Sequence, residues 1–288
     1  MTAQIIDGKQ LAQKFNDTLQ QQLPSQKASY QSTPCLAVIM LGDDEASQVY
    51  VKRKQQRCDK LGIESTLHHL SSATTQQQLL ELVDQLNNDK RVHGILVQLP
   101  LPEHINSQII IEHIDPIKDV DGFHPTNLGR LMQKLPFLRP CTPMGVMAML
   151  DHIGFDAYGQ HAVIVGASNV VGRPLGLELL TAGATVTVCH KPTKNLDQHV
   201  KQADLVISAV GIPDLIKGDW IKPSSVVIDV GITRLENGKL AGDVEFDKAQ
   251  ENASWITPVP GGVGPMTVAM LMQNTVQAWQ AQCDSAND

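Results

Sequence analysis

Continuous apolar runs alternate with helix-period patterns along the first half of the chain. The run Leu36-Ala-Val-Ile-Met-Leu41 has no polar side chain and reads as a strand buried on both faces. A helical pattern follows over residues 47–61, then the segment 64–70, a second helical pattern over 75–86, the apolar strand 92–99 and a helix over 107–114. Strands alternating with helices imply a parallel sheet layered by helices. The stretch 115–143 breaks this rhythm with Pro116, Pro125, Pro136, Pro140 and Pro143, and is expected to be the interdomain region. A second alternation begins with a helix over 144–153 and continues with the strand 162–165, the helix 171–182 and strands at 185–189, 205–210 and 226–230. A turn is expected at Asn237-Gly238, and a last helix over 267–282 comes after a loop rich in Gly and Pro.

With 288 residues, 42% hydrophobic and 18% charged, the chain has the composition of a globular protein and the length of two domains. The N-terminal residues lack a basic region leading into an apolar run, and no stretch approaches the ~20 apolar residues that span a bilayer, so a cytoplasmic protein without membrane partners is expected. The net charge of -7 disfavours nucleic acid. Five scattered cysteines without a C-x-x-C pair argue against a disulfide framework and a structural zinc site, and they read as reduced, mostly buried thiols. No H-x-x-x-H occurs among the histidines, and His68 and His69, adjacent on a strand, would face opposite sides, so no metal is expected.

Three groups of residues carry candidate chemistry. In the first, an apolar strand runs into Gly166-x-Ser168-x-x-x-Gly172 and a helix. Gly166 permits the tight turn, the helix N-terminus offers free N–H groups to a pyrophosphate, and Gly172 allows close packing of helix on strand. The standard G-x-G-x-x-G is altered: Ser168 replaces the second glycine and the last comes one residue late. No acidic residue lies between Glu178 and Asp197 to hold a ribose 2'-hydroxyl, whereas His190, Lys191 and Lys194 would accept a 2'-phosphate, which favours NADP over NAD. A solvated basic loop is the alternative reading of these three residues.

The second group is Pro258-Val-Pro-Gly-Gly-Val-Gly-Pro-Met-Thr267, whose glycines let backbone approach a ligand and whose prolines hold the loop's shape. The third is Tyr50-Val-Lys-Arg-Lys54, with Gln98 at a strand end and Asp121 in Lys118-Asp-Val-Asp-Gly122. Tyr50 and Lys54, four apart, share one helix face, so an aromatic ring and an amine can address one ligand; surface decoration is the bland alternative. Gln98 lies where open α/β sheets bind ligands. The spacing of Asp119 and Asp121 does not fit a calcium loop.

Taken together, the segment from Leu86 through Val92-His-Gly-Ile-Leu-Val-Gln-Leu-Pro-Leu-Pro102 and the segment Pro260-Gly-Gly-Val-Gly-Pro-Met-Thr267 resemble the two signature segments of the methylenetetrahydrofolate dehydrogenase/cyclohydrolase family. The resemblance covers nearly the whole chain. It implies an α/β protein of two domains with an interdomain cleft: a folate-binding catalytic domain (1–140 plus 265–288) and a Rossmann-like NADP-binding domain (141–264). It further implies catalytic roles for Lys54, Tyr50, Gln98 and Asp121. Folate would be held by Tyr50, Val51, Lys52, Arg53, Lys54, Val97, Gln98, Leu99, Asp121, Pro260, Gly261, Gly262, Val263 and Gly264. NADP would be held by Gly166, Ala167, Ser168, His190, Lys191 and Ile232. Many relatives carry Arg in place of Ala167 and Ser-Arg in place of Lys191-Pro192. Tetrahydrofolate one-carbon derivatives are the implied partners and a homodimer the implied assembly. A dehydrogenase without hydrolytic activity and a non-catalytic dinucleotide sensor remain as alternatives.

Overall fold

The computed structural model describes residues 2–287. In chain order the elements are β1 (Gln4–Ile5), α1 (Gly8–Tyr30), β2 (Cys35–Leu41), α2 (Glu45–Leu61), β3 (Glu64–Leu70), α3 (Gln76–Asn88), β4 (Gly94–Val97), α4 (Ser107–His113), α5 (Pro125–Met132) and α6 (Cys141–His152). They continue with β5 (His161–Val165), α7 (Gly172–Thr181), β6 (Thr185–Cys189), α8 (Leu196–Val200), β7 (Leu205–Ser208), β8 (Val226–Asp229), β9 (Thr233–Arg234), β10 (Leu240–Ala241), α9 (Phe246–Asn252), β11 (Trp255–Ile256) and α10 (Val263–Asn287). The chain forms two compact units. One joins the residues up to Gln13 with Thr142–Thr267; the other joins Lys14–Cys141 with the chain from Val268 onward.

The second of these, the three-stranded unit, holds the parallel sheet β3-β2-β4. Every residue of the central strand β2 is buried, which is why it reads as an unbroken apolar run. One face of the sheet (Ala37, Ile39, Leu41, Ile95, Val97) packs against Leu79, Val83 and Leu86 of α3 and Ile110 of α4. A capping box at Thr75 and Gln78 starts α3, and Asn106 caps α4. The C-terminal helix α10 is stitched into the same unit. Buried Trp279 donates from its indole N–H to Ser32 Oγ at 3.1 Å, and buried Asn274 donates from Nδ2 to the carbonyls of Val120 and Arg139, both at 2.8 Å.

The six-stranded unit is an all-parallel sheet in the order β1-β11-β8-β7-β5-β6, with β10 and β9 forming a separate antiparallel pair. From β5 the chain moves outward to β6, then crosses to β7 on the other side of β5. The carboxyl ends of β5 and β7 are therefore the switch point at which such sheets bind ligands. The turn expected at Asn237-Gly238 joins β9 to β10, with Gly238 at φ +79°.

Three expectations are corrected. The stretch 115–143 does hold the boundary between units, but only near its far end, between Cys141 and Thr142, and most of it is packed into the three-stranded unit. Its prolines mislead because Pro125 occupies the first turn of α5, where a missing N–H costs nothing, and His124 caps that helix through Nδ1. Buried Lys118 donates to the carbonyls of Leu86, Asn87 and Asp89 at 2.8–3.0 Å, and Asp119 accepts from His124 N and Asn127 Nδ2. Secondly, the earliest residues do not belong with the three-stranded sheet: β1 pairs with β11, and Ile6 donates to the Ile256 carbonyl at 2.9 Å. Finally, α10 begins at Val263 rather than at 267.

No helix among the described residues is long and apolar enough to cross a membrane. The five cysteines are free; Cys35, Cys58, Cys141 and Cys189 are buried and Cys283 is half-buried.

Candidate active site

In the three-stranded unit, Asp44 fixes the start of α2 by accepting from Ser47 N at 2.8 Å, and Gly62, at φ +70°, ends the helix in a left-handed cap. This phase buries Val51, leaves Lys52 and Arg53 exposed, and sets half-buried Tyr50 and Lys54 one turn apart. The Arg53 guanidinium lies 6.0 Å from the Tyr50 ring centroid, at the outer limit of a cation–π contact. Gln98 follows β4 directly and is anchored by its backbone N–H to the Ile39 carbonyl at 2.8 Å. Its side chain is held at both ends: Oε1 accepts from Lys54 Nζ at 3.0 Å, and Nε2 donates to the Leu99 carbonyl at 2.8 Å. Val97 is buried and Leu99 half-buried.

Asp121 reaches the same end of the sheet through a parallel bridge between Ile95 and Asp119, two residues earlier. The backbone there has little freedom. Gly122 sits at φ +77°, and a Cβ on it would run into the Arg139–Pro140 peptide. Unlike Asp119, Asp121 accepts no hydrogen bond among the described residues. Burial pushes its carboxyl up to about 6, the positive charge of Lys54 pulls it down and Asp119 pushes it up. The structure thus brings Lys54, Gln98 and Asp121 together, with Tyr50 on the neighbouring turn.

Sequence reasoning missed Cys141. Its buried thiol donates to the Val120 carbonyl at 3.2 Å, and its pKa is raised first by burial and then by the negative charge of Asp121. No signal in sequence links residues twenty positions apart across a proline-rich stretch.

In the six-stranded unit, Gly166 at φ +120° lies against the Ala209 carbonyl, and Gly172 lies against the carbonyl of Gly166; a Cβ at either would fall far inside contact distance. Both glycines are thus required by backbone packing. Ser168 Oγ accepts from Val171 N at 3.1 Å, so its hydroxyl serves the entry to α7. Ala167 is half-buried beside it, and Ile232 is 45% exposed after buried Gly231. At the end of β6, His190 is braced by Thr193 Oγ1, which lies 2.9 Å from both its backbone N and its Nδ1. Lys191 and Lys194 stand exposed on this turn. A glycine turn at the switch point with cations at the end of the next strand fits a dinucleotide carrying a 2'-phosphate.

The Gly/Pro loop also belongs to the six-stranded unit. Gly261, at φ +112°, accepts from Lys9 N at 3.2 Å, and Gly262 N donates to the Pro258 carbonyl at 2.9 Å. A side chain on Gly262 would meet Pro258 O at 2.7 Å and Thr257 Cβ at 2.9 Å, and Gly8 packs on the Gly262 carbonyl. Gly262 is therefore small because protein fills the space around it. Val263 is buried as well, whereas Pro260 and Gly264 are exposed and Gly261 is half-buried.

Two family models match the chain: the tetrahydrofolate dehydrogenase/cyclohydrolase catalytic domain over residues 6–121, and the NAD(P)-binding domain of the same family over residues 140–283. The chain belongs to this family. Among solved structures, the bifunctional methylenetetrahydrofolate dehydrogenase/cyclohydrolase of Campylobacter jejuni is 50% identical, with a TM-score of 0.95 over 97% of this chain and 99% of that one. The methylenetetrahydrofolate dehydrogenase/cyclohydrolase of Trypanosoma brucei, complexed with NADP and an inhibitor, is 37% identical, with a TM-score of 0.94 over 98% of both chains. A methylenetetrahydrofolate dehydrogenase of the silkworm Bombyx mori is 43% identical, with a TM-score of 0.91 over 99% of this chain and 100% of that one. Within the family's two-domain α/β architecture, the three-stranded unit carries most of the catalytic-domain match, and the six-stranded unit carries most of the NAD(P)-binding match.

Proposed function

We propose that this chain oxidises 5,10-methylenetetrahydrofolate to the methenyl cation with NADP and then hydrolyses that cation to 10-formyltetrahydrofolate. The observation that carries the reading is the Lys54 amine, held 3.0 Å from Gln98 Oε1 beside an Asp121 carboxyl that accepts no hydrogen bond among the described residues, within a match to the family's catalytic domain.

NADP, when bound, supplies the acceptor of the hydride that leaves the methylene carbon. Oxidation then asks the protein chiefly for alignment. Hydrolysis asks for proton movement as well: water attacks the methenyl carbon and loses a proton, then the bond from that carbon to N5 breaks as N5 gains a proton and the remaining hydroxyl proton leaves to solvent with formation of the formyl C=O. In this reading Lys54 takes the first proton and returns it to N5, while Gln98 orients the amine. Asp121 accepts hydrogen bonds from the pterin, for which its free oxygens suit it. Tyr50 stacks on the folate aryl ring. Gly166, Ala167, Ser168, His190, Lys191 and Ile232 hold NADP. A homodimer in the cytoplasm completes the proposal.

The deciding assay mixes the protein with methylenetetrahydrofolate and NADP and follows methenyl and formyl products in parallel. Formation of methenyl without accelerated formyl production would reduce the protein to a dehydrogenase, and neither product would leave a dinucleotide sensor.

Two further results are expected. Ionised Asp121 is the form that accepts hydrogen bonds, and its carboxyl is held at about 6, so the apparent KM for folate should rise as pH falls through 6. Asp121→Asn should have a raised KM that no longer changes in that window; a pH limb that survives in the variant assigns the titration to another group. Lys191→Glu places a negative charge against the 2'-phosphate and should raise the KM for NADP by about tenfold or more while altering that for NAD far less. Equal shifts for both cofactors would remove Lys191 from the phosphate site.

A further inference from the structure

Two buried carboxylates lie behind the switch point of the six-stranded sheet and belong to neither ligand site as described. Asp229 is the last residue of β8, and Asp243 follows β10; they are 4% and 0% exposed. Burial pushes Asp229 up to about 7, and the charge of Asp243 adds to the rise. Two such groups in one desolvated place are costly unless donors surround them.

The donors present are almost all backbone N–H groups of the loops that leave β7, β8 and β10. Asp243 accepts from Val210 N at 2.8 Å and Ser208 Oγ at 2.9 Å through Oδ2, and from Ile212 N at 2.9 Å through Oδ1. Asp229 accepts from Gly231 N at 3.0 Å, Asp243 N at 3.1 Å and Val244 N at 2.9 Å. Asp229 thus fixes Asp243, which fixes the loop after β7. Gly231 and Gly242 pack directly on the pair, since a Cβ on Gly231 would strike the Asp243 carboxylate and one on Gly242 the Asp229 carboxylate.

What these carboxylates pin leads to the nucleotide turn. Gly166 packs on the carbonyl of Ala209, the residue before Val210, so the height of that turn follows the loop Asp243 holds. The pinned loops also present exposed apolar side chains, Ile212 at 53% and Ile232 at 45%, and Thr233 Oγ1 ties them together by donating to the Gly211 carbonyl at 3.0 Å. A buried ionic device with exposed isoleucines on its outer side is arranged to shape a surface.

We infer that Asp243 is a positioning residue for NADP: without touching the dinucleotide, it sets the loop 209–212 against which the glycine turn and the cofactor rest. The inference builds on NADP binding in this unit and adds the residue that shapes the site. Asp243→Asn keeps the volume but turns an NH2 group toward N–H donors, so at least one of Val210 N, Ile212 N and Ser208 Oγ loses its acceptor.

The test is calorimetric titration of the full chain with NADP, together with steady-state assays of both activities. In Asp243→Asn, Kd and KM for NADP should rise about tenfold or more, as expected for lost hydrogen bonds to a charged group, with kcat at saturating NADP nearly unchanged. Hydrolysis of methenyl substrate supplied without NADP should stay at the level of the unsubstituted protein, which a general loss of structure would not allow. An unchanged Kd, or equal losses in both activities, would overturn the inference. If Asp243→Asn fails to fold, Ser208→Ala removes a single donor and decides: a KM for NADP raised about threefold supports the role, and an unchanged one overturns it. Absence of NADP binding by the unsubstituted protein would sink the cofactor reading itself and this inference with it.

Discussion

Replacing Lys54 by Gln is expected to lower methenyl hydrolysis by at least about 100-fold, the low end of the contribution of general acid–base catalysis, while methylene oxidation falls much less. The two reactions separate at this residue because only hydrolysis must strip a proton from water and deliver one to the leaving nitrogen. Glutamine retains a donor toward Gln98 Oε1, which lies 3.0 Å from the lysine amine, and it is a good helix former at a half-buried position of α2. The fold and most of the alignment should therefore survive, leaving the missing proton carrier as the main change. If Lys54 instead only holds the negative tail of the folate, both activities weaken together through KM and recover at high substrate concentration. Measuring methenyl formation and methenyl hydrolysis side by side in this one variant distinguishes the two roles.

Gly172→Ala should produce the opposite pattern. An added Cβ falls on the carbonyl oxygen of Gly166 with no flexible side chain to yield, so either the glycine turn or the start of α7 must shift. Both form the seat proposed for the NADP pyrophosphate, where displacements near 1 Å already cost about 100-fold in well-aligned reactions. Oxidation should fall by about that factor or more, whereas hydrolysis of added methenyl substrate, which uses no NADP, should remain near the unsubstituted level. Loss of both activities together would show that the substitution damages the chain as a whole.

The strand-helix alternation was legible because parallel sheets covered on both faces demand unbroken apolar strands such as β2, whose side chains are all buried. Lys54, Gln98 and Asp121, which the fold brings together, each sit at a recognisable place, a helix face, a strand end and a turn glycine's neighbour, while the roles proposed for them rest on the family resemblance. Other features have no such mark. α1 carries Pro24 in its interior and no acidic residue in its first turn, and β1 is only two residues long. Pro125 reads as a breaker yet starts a helix. Asp229 and Asp243 look in sequence like ordinary loop acids, since their role depends on backbone N–H groups gathered from three loops. The glycines of the loop 258–267 suggest backbone lying close to a ligand, yet at Gly262 it is Thr257 and Pro258 that fill the space a side chain would take.

The pairing of β1 with β11 bears on how the chain is made. Gln4 and Ile5 leave the ribosome about 250 residues ahead of their partners Trp255 and Ile256, so the sheet of the NAD(P)-binding unit gains this edge strand only after the rest of its strands have been made. The other unit waits as well, because Trp279 and Asn274, which anchor α10 to Ser32, Val120 and Arg139, are later still. Neither unit can close as a free-standing nascent domain while the rest is being translated. Contacts this distant in sequence slow folding and lengthen the time that apolar strands such as β2 stay uncovered.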